Sequence, residues 1–190
     1  MSFFTINLLT LYFIGDYFFM KIVLLGYMGS GKSAIGSFLS ERLQTSFYDL
    51  DTEIEKLEQI SIAELFKTKG EIYFRKKENE VLKAILALEA DFVLSLGGGT
   101  PCYYNNHELL KGDGILSIYL KATTETLVKR VSDEKNSRPL LHNQDENSVR
   151  DFINKHLFDR NFYYHQADKI VTVDDKTIEA ITNEISALLT

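Results

Sequence analysis

Residues 26 to 33, Gly26-Tyr27-Met28-Gly29-Ser30-Gly31-Lys32-Ser33, match the phosphate-binding pattern GxxxxGK[ST] in full. The pattern stands directly after the apolar run Ile22-Val23-Leu24-Leu25 and before a helical stretch, which is where a nucleotide phosphate cradle must sit. Glycines at 26, 29 and 31 allow backbone turns that bring N–H groups against phosphate oxygens. Gly29, Ser30, Gly31 and Ala34 are therefore candidate ATP contacts, at the N-terminus of a helix that adds partial positive charge. Lys32 is placed to reach the β- and γ-phosphates, and the Ser33 hydroxyl to ligate Mg²⁺. A glycine turn that merely packs against a helix is the competing reading, and the complete pattern in this context argues against it.

Two carboxylates and three arginines indicate what is done with the nucleotide. Asp49-Leu50-Asp51 ends a second short strand, and strand alternation predicts both carboxylates on one side, at a ligand crevice. Asp49 then holds a magnesium water and Asp51 faces an acceptor hydroxyl. Solvated turn carboxylates, or Asp51 capping the next helix, also fit. Arg75 and Glu78 lie three apart on one helical face, either as a surface ion pair or as a carboxylate orienting an arginine toward an anion. Arg138 precedes Pro139 in a polar stretch that could close over ATP, and Arg160, four residues before Tyr164, is a third candidate anion clamp. The segments by which GTPases recognise guanine and sense the γ-phosphate are missing from suitable places. The apolar strand Phe92–Leu96 ends in Gly97-Gly98-Gly99 instead of a Walker B aspartate.

These residues need a scaffold of alternating strands and helices. From Met20 onward the spacing predicts βα units and a mostly parallel sheet covered on both faces. Strands are expected at 22–25, 46–50, 92–96, 115–120 and 169–173. Helices are expected at 32–43, from a Ser61 capping box to a stop at Gly70, and at 71–88, 148–166 and 177–189. Residues 136–147 read as a mobile polar loop.

With 190 residues the chain accommodates one well-packed domain. A net charge of −6 excludes broad nucleic-acid binding, so an anionic substrate must be held by local arginines. One cysteine, Cys102, precludes an intrachain disulfide and fits a reducing compartment, and the four histidines are scattered. Residues 1–19 are apolar and aromatic, without the basic flank of a secretory signal, and Gly15-Asp16 interrupts them as a membrane anchor. Translation starting at Met20 is the preferred account of this extension, against an anchor or a packed arm. Residues 20–190 then form a single cytoplasmic domain.

Taken in order, the GYMGSGKS loop, Asp49-x-Asp51, Gly70-Glu71 with Phe74-Arg75-x-x-Glu78, Gly97-Gly98-Gly99, Arg138-Pro139-Leu140-Leu141 and Arg160-x-x-x-Tyr164-x-x-Ala167 closely resemble shikimate kinase. The resemblance runs from about Met20 to the C-terminus. It implies an α/β P-loop NTPase fold of the nucleoside monophosphate kinase type. Such a fold has a five-stranded parallel sheet flanked by helices, a substrate-binding subregion at about 49–80 and a lid at about 131–147. It implies phosphorylation of the shikimate 3-hydroxyl in aromatic amino-acid biosynthesis, with ATP as co-substrate and Mg²⁺ as cofactor. By the same resemblance Asp51 hydrogen-bonds the 3-hydroxyl, and Arg75 and Arg160 grip the substrate carboxylate. Gly97, Gly98 and Gly99 let the substrate approach backbone, Arg138 lies near the phosphates, and Arg130 lies near adenine. The expected partners are ATP and shikimate, with no nucleic acid and no membrane, acting on a monomer. The alternatives are a gluconate-type kinase and a non-catalytic nucleotide-binding regulator.

Overall fold

The apolar run after Met20 forms β1 (Lys21–Leu25), and its Ile22–Leu25 side chains are all buried. In the computed structural model, which describes residues 20–133 and 145–189, this strand is the centre of the sheet. Parallel pairing sets the order β2-β3-β1-β4-β5, with β2 at Ser46–Asp49, β3 at Phe92–Ser95, β4 at Ile115–Lys121 and β5 at Lys169–Thr172. A strand buried on both faces is an apolar run, and β1 and β3 meet that requirement except at Lys21, which opens β1, and Ser95, which closes β3. Helices α1 (Lys32–Leu43) and α7 (Ile178–Ala187) pack against each other beside the sheet. No helix among the described residues is long and apolar enough to cross a membrane. The extension 1–19 and residues 134–144, most of the expected lid, lie outside the described residues.

Several elements depart from the sequence expectations. The second strand ends at Asp49, and Leu50 already begins α2 (Leu50–Glu58). Asp49 is the N-cap of that helix, in an extended conformation, and its side chain accepts from the Thr52 amide at 3.3 Å. Asp51 therefore sits in the first turn of a helix. Neither strand alternation with Asp49 nor a capping role for Asp51 describes it. Helices α4 (Asn106–Leu109) and α5 (Thr124–Asp133) were not expected, and α6 (Glu146–Tyr164) starts before Ser148 because Asp145 caps it. The outer ends of the expected polar loop and lid thus belong to α5 and α6.

The expected stop at Gly70 is a sharp kink inside α3 (Ile62–Leu86), where Gly70 has φ 79° and ψ 170°. Ser61 caps the first half through the Glu64 amide, at 3.2 Å. The second half leaves the kink in a new direction and carries Arg75 and Glu78 toward the sheet. That backbone conformation is nearly restricted to glycine. Nothing lies within 4 Å of a Cβ built at Gly70, so alanine there meets backbone strain without a side-chain clash. Gly70→Ala is expected to lower stability by about 1–3 kcal/mol, measured as a drop in Tm. An unchanged Tm would mean that the helix straightens without cost.

Candidate active site

The phosphate loop joins β1 to α1, and α1 differs from its neighbours at its N-terminus. Helices α2, α3, α6 and α7 are capped by the side chains of Asp49, Ser61, Asp145 and Thr177. At α1 the N-cap is Gly31, with φ 95° and no side-chain cap. Its first-turn amides are thus left for an anion. Lys32 is buried, and its Nζ donates to the carbonyls of Gly26 at 2.9 Å and Tyr27 at 3.0 Å, which holds the ammonium inside the loop. The Ser30 hydroxyl is buried without a hydrogen-bond partner among the described residues, an unusual state for a polar atom unless a ligand completes it.

Beside the loop, Ser33 Oγ donates to Asp49 Oδ2 at 2.7 Å. Two oxygen ligands next to a phosphate site suit Mg²⁺, which is usually held by one or two protein oxygens together with phosphates and water. No cluster of three or more His, Cys, Asp or Glu side chains able to hold a metal stands among the described residues, so a dedicated cage is not the design. Asp51 is pushed up to about 6, first by burial, then by the charges of Asp49 and Glu78, while Lys32 and Arg75 pull it back. A carboxylate balanced near neutrality is well matched to accepting a proton.

The third wall is the turn after β3. It lies beside the phosphate loop because β3 pairs with β1, and the Leu96 amide donates to Leu24 O at 3.0 Å. Two glycines of that turn, Gly97 and Gly99, make room for charged side chains, and at Gly98 a third charged side chain lies at ordinary contact distance. A Cβ on Gly97 would stand 2.9 Å from Asp51 Oδ1, one on Gly98 would be 3.6 Å from Arg160 Nη1, and one on Gly99 would be 2.8 Å from Arg75 Nη2. Arg75 donates to Glu78 Oε2 at 2.9 Å, and Thr100 Oγ1 donates to Glu78 Oε1 at 2.6 Å. Glu78 is fully buried, so its charge is balanced by these two donors and not by water.

Helix α6 supplies Arg160, whose guanidinium carbon stands 5.5 Å from the centre of the Tyr27 ring. One turn on, the Tyr164 hydroxyl donates to Gly98 O at 2.5 Å and ties α6 to the glycine turn. Burial pushes the Cys102 thiol up to about 11, while Arg160 and Arg75 both oppose the shift, so the two arginines flank the same turn. A cavity of about 600 Å³ is lined by the phosphate loop with Lys32 and Ser33, by Asp49, Asp51, Gly97 and Gly98, and by Arg130 and Lys176, while Arg75 and Arg160 stand outside its lining, next to Gly99 and Gly98. Arg130 donates to Gly29 O at 3.2 Å and Val173 O at 3.2 Å, bracing the phosphate loop while lining the cavity. The structure thus gathers Gly29–Ala34, Asp49, Asp51, Arg75, Gly97–Gly99, Arg130 and Arg160. Arg138 lies outside the described residues.

Comparison with known proteins decides the lineage. The model of the shikimate kinase family matches residues 28–190. The chain belongs to the shikimate kinase family. A shikimate kinase of Flavobacterium johnsoniae is 51% identical over 169 residues, 89% of this chain and 98% of that protein. The crystal structure of shikimate kinase from Bacteroides thetaiotaomicron superposes with a TM-score of 0.83 at 33% identity, covering 90% of this chain and 98% of that one. That of the Acinetobacter baumannii shikimate kinase in complex with shikimate gives 0.79 at 32% identity, covering 90% and 93%. The activity is ATP-dependent phosphorylation of shikimate in aromatic amino-acid biosynthesis, and the expectations of fold and enzyme class hold.

Sequence reasoning missed Thr100 and Tyr103, and it named Glu71 within its motif without the contacts to Arg75 and Tyr103. Thr100 follows the glycines with no pattern of its own, and Tyr103 meets Arg75 only through the fold. The buried Arg75–Glu78 pair yields a direct expectation. Glu78→Ala removes the acceptor from a guanidinium and a buried hydroxyl, and should cost about 3 kcal/mol, seen as a loss in chemical denaturation. A loss near zero would show that the pair is solvated.

Proposed function

We propose that Asp51 accepts the proton of the shikimate 3-hydroxyl as that oxygen attacks the γ-phosphorus of ATP, while Arg75 and Arg160 hold the substrate carboxylate. The observation that carries this reading is the position of Asp51. It lines one cavity with Lys32, and its Oδ1 and Glu78 Oε1 both border the space at Gly97, 2.9 and 3.2 Å from where a Cβ would stand. A ring that spans from the arginines to Asp51 presents a hydroxyl toward the phosphate loop. Gly97 and Gly98 leave the space through which it approaches.

Lys32 and the α1 amides neutralise charge on the β- and γ-phosphates, the main task in a loose phosphoryl-transfer transition state. Ser33 and Asp49 are the residues that would hold Mg²⁺. That cation would supply charge neutralisation at the transferring phosphates. Arg130 and Lys176 also line the cavity, and the nucleoside would extend along them. One chain supplies both substrate sites, so the reading needs no second subunit. A cytoplasmic site of reaction belongs to this proposal and is supported by the demand for ATP as co-substrate.

The reading is tested by ADP release with a panel of shikimate, quinate and gluconate. Saturable turnover with shikimate alone supports it, and equal turnover with gluconate would overturn the carboxylated-ring assignment. Asp51→Asn should lower kcat by about 10²–10⁴-fold with ATP binding nearly intact, and an unchanged kcat would remove Asp51 from the proton transfer. Arg75→Ala should raise the KM for shikimate far more than that for ATP, whereas equal losses would argue against a carboxylate clamp.

A further inference from the structure

We infer that Tyr103 is a positioning residue for shikimate binding, because its ring face sets the plane of the Arg75 guanidinium. This inference rests on the assignment of Arg75 to the substrate carboxylate.

The bonds of Arg75 to its own helix do not fix that plane. Nη1 has the strong partner, Glu78 at 2.9 Å, while Nε reaches Glu71 Oε1 only at 3.5 Å. Nη1 also reaches Glu78 Oε1 at 3.2 Å. A guanidinium held through these two nitrogens can still rock about the line that joins them, and a bidentate grip on a carboxylate depends on the orientation of its plane. Two aromatic rings approach the guanidinium carbon, Phe74 at 4.9 Å and Tyr103 at 4.1 Å. Phe74 is the adjacent residue on the same helix and moves with the arginine. Tyr103 comes from the other wall of the site, directly after the turn Thr100–Cys102. It is therefore the contact that fixes Arg75 relative to the glycine turn where the substrate must lie.

The ring is itself secured. The Tyr103 hydroxyl donates at 3.1 Å to Glu71 Oε1, the same oxygen that faces Arg75 Nε. The turn beneath it is held from inside by Asn106, whose Nδ2 donates to Thr100 O at 2.8 Å and whose Oδ1 accepts from Asn79 at 2.6 Å. Gly99 leaves space for Nη2, and Tyr103, four residues later, supplies the stacking face. The described hydrogen bonds use Nε and Nη1, so Nη2 is the donor left pointing into that space. Tyr103 is 37% exposed, which means that truncating it opens no core cavity.

The experiment is a double-mutant cycle in steady-state kinetics on the full chain, with Tyr103→Leu, Tyr103→Phe, Arg75→Ala and Tyr103→Leu/Arg75→Ala. A cation–ring contact of this kind predicts that Tyr103→Leu raises the KM for shikimate about three- to tenfold, with kcat and the KM for ATP within about twofold of wild type. Tyr103→Phe keeps the face and should recover most of the loss. In the Arg75→Ala background, Tyr103→Leu should add nothing, because its effect passes through the arginine. An undiminished further loss in that background, an equal effect on ATP, or Phe behaving like Leu would overturn the inference. A wild-type KM in Tyr103→Leu beside an impaired Arg75→Ala would overturn the positioning role alone. A wild-type KM in Arg75→Ala would instead remove the carboxylate assignment on which the inference stands.

Discussion

Three charged side chains converge on the turn at Gly97–Gly99, and they can do so because the turn carries no side chains of its own. Asp51 comes from the start of α2, Arg75 from beyond the kink in α3 and Arg160 from α6. Asp51 and Arg75 would clash with a methyl group at Gly97 and Gly99, and Arg160 would touch one at Gly98. The turn is in turn pinned from behind, through the Tyr164 hydroxyl on Gly98 O and the Asn79–Asn106 chain on Thr100 O. An empty strip of backbone, rigidly held, is thus the space around which the substrate site is organised.

The electrostatics follow from that convergence. An acidic protein with a net charge of −6 has no general field to attract an anionic substrate, so binding must come from a few oriented donors. In the proposed reading the uncapped α1 terminus and Lys32 serve the phosphates, and Arg75 and Arg160, beside Gly99 and Gly98, serve the substrate carboxylate. Asp51 lies between these cations and two other carboxylates. Burial and like charge raise its pKa while the cations lower it, leaving a group close to the balance point between acid and base. A cation held by Ser33 and Asp49 would shift that balance toward the ionised form.

Much of this was legible in the residues. The phosphate loop carries a local signature because backbone turns, helix start and lysine all fall within eight positions. The five strands and the break at Gly70 were likewise readable from apolar runs and a single glycine. Asp49 and Asp51 were recognised as a pair for a mistaken geometric reason. The strand ends one residue earlier than its apolar pattern suggests, since Asp49 in an extended conformation caps α2. Helix α5 escaped notice although Thr123 Oγ1 accepts from the Thr126 amide at its start. Its link to the site, the Arg130 bridge from the phosphate loop to Val173, is made between distant parts of the chain.

The sequence by itself determined which chemistry was available: phosphate binding, an acceptor carboxylate, a set of arginines and the parallel scaffold beneath them. These depend on local spacing and periodicity, which the chain carries wherever it folds. Only the tertiary structure decided which side chain each glycine faces, that Thr100 donates a hydrogen bond to a buried Glu78, and that Tyr103 lies 4.1 Å from Arg75. Those contacts join residues 22 to 62 positions apart, and they form only once β3 has paired beside β1 and brought α2, α3 and α6 around one turn. No local propensity encodes them, because their energy comes from burial and from partners that the unfolded chain holds far apart.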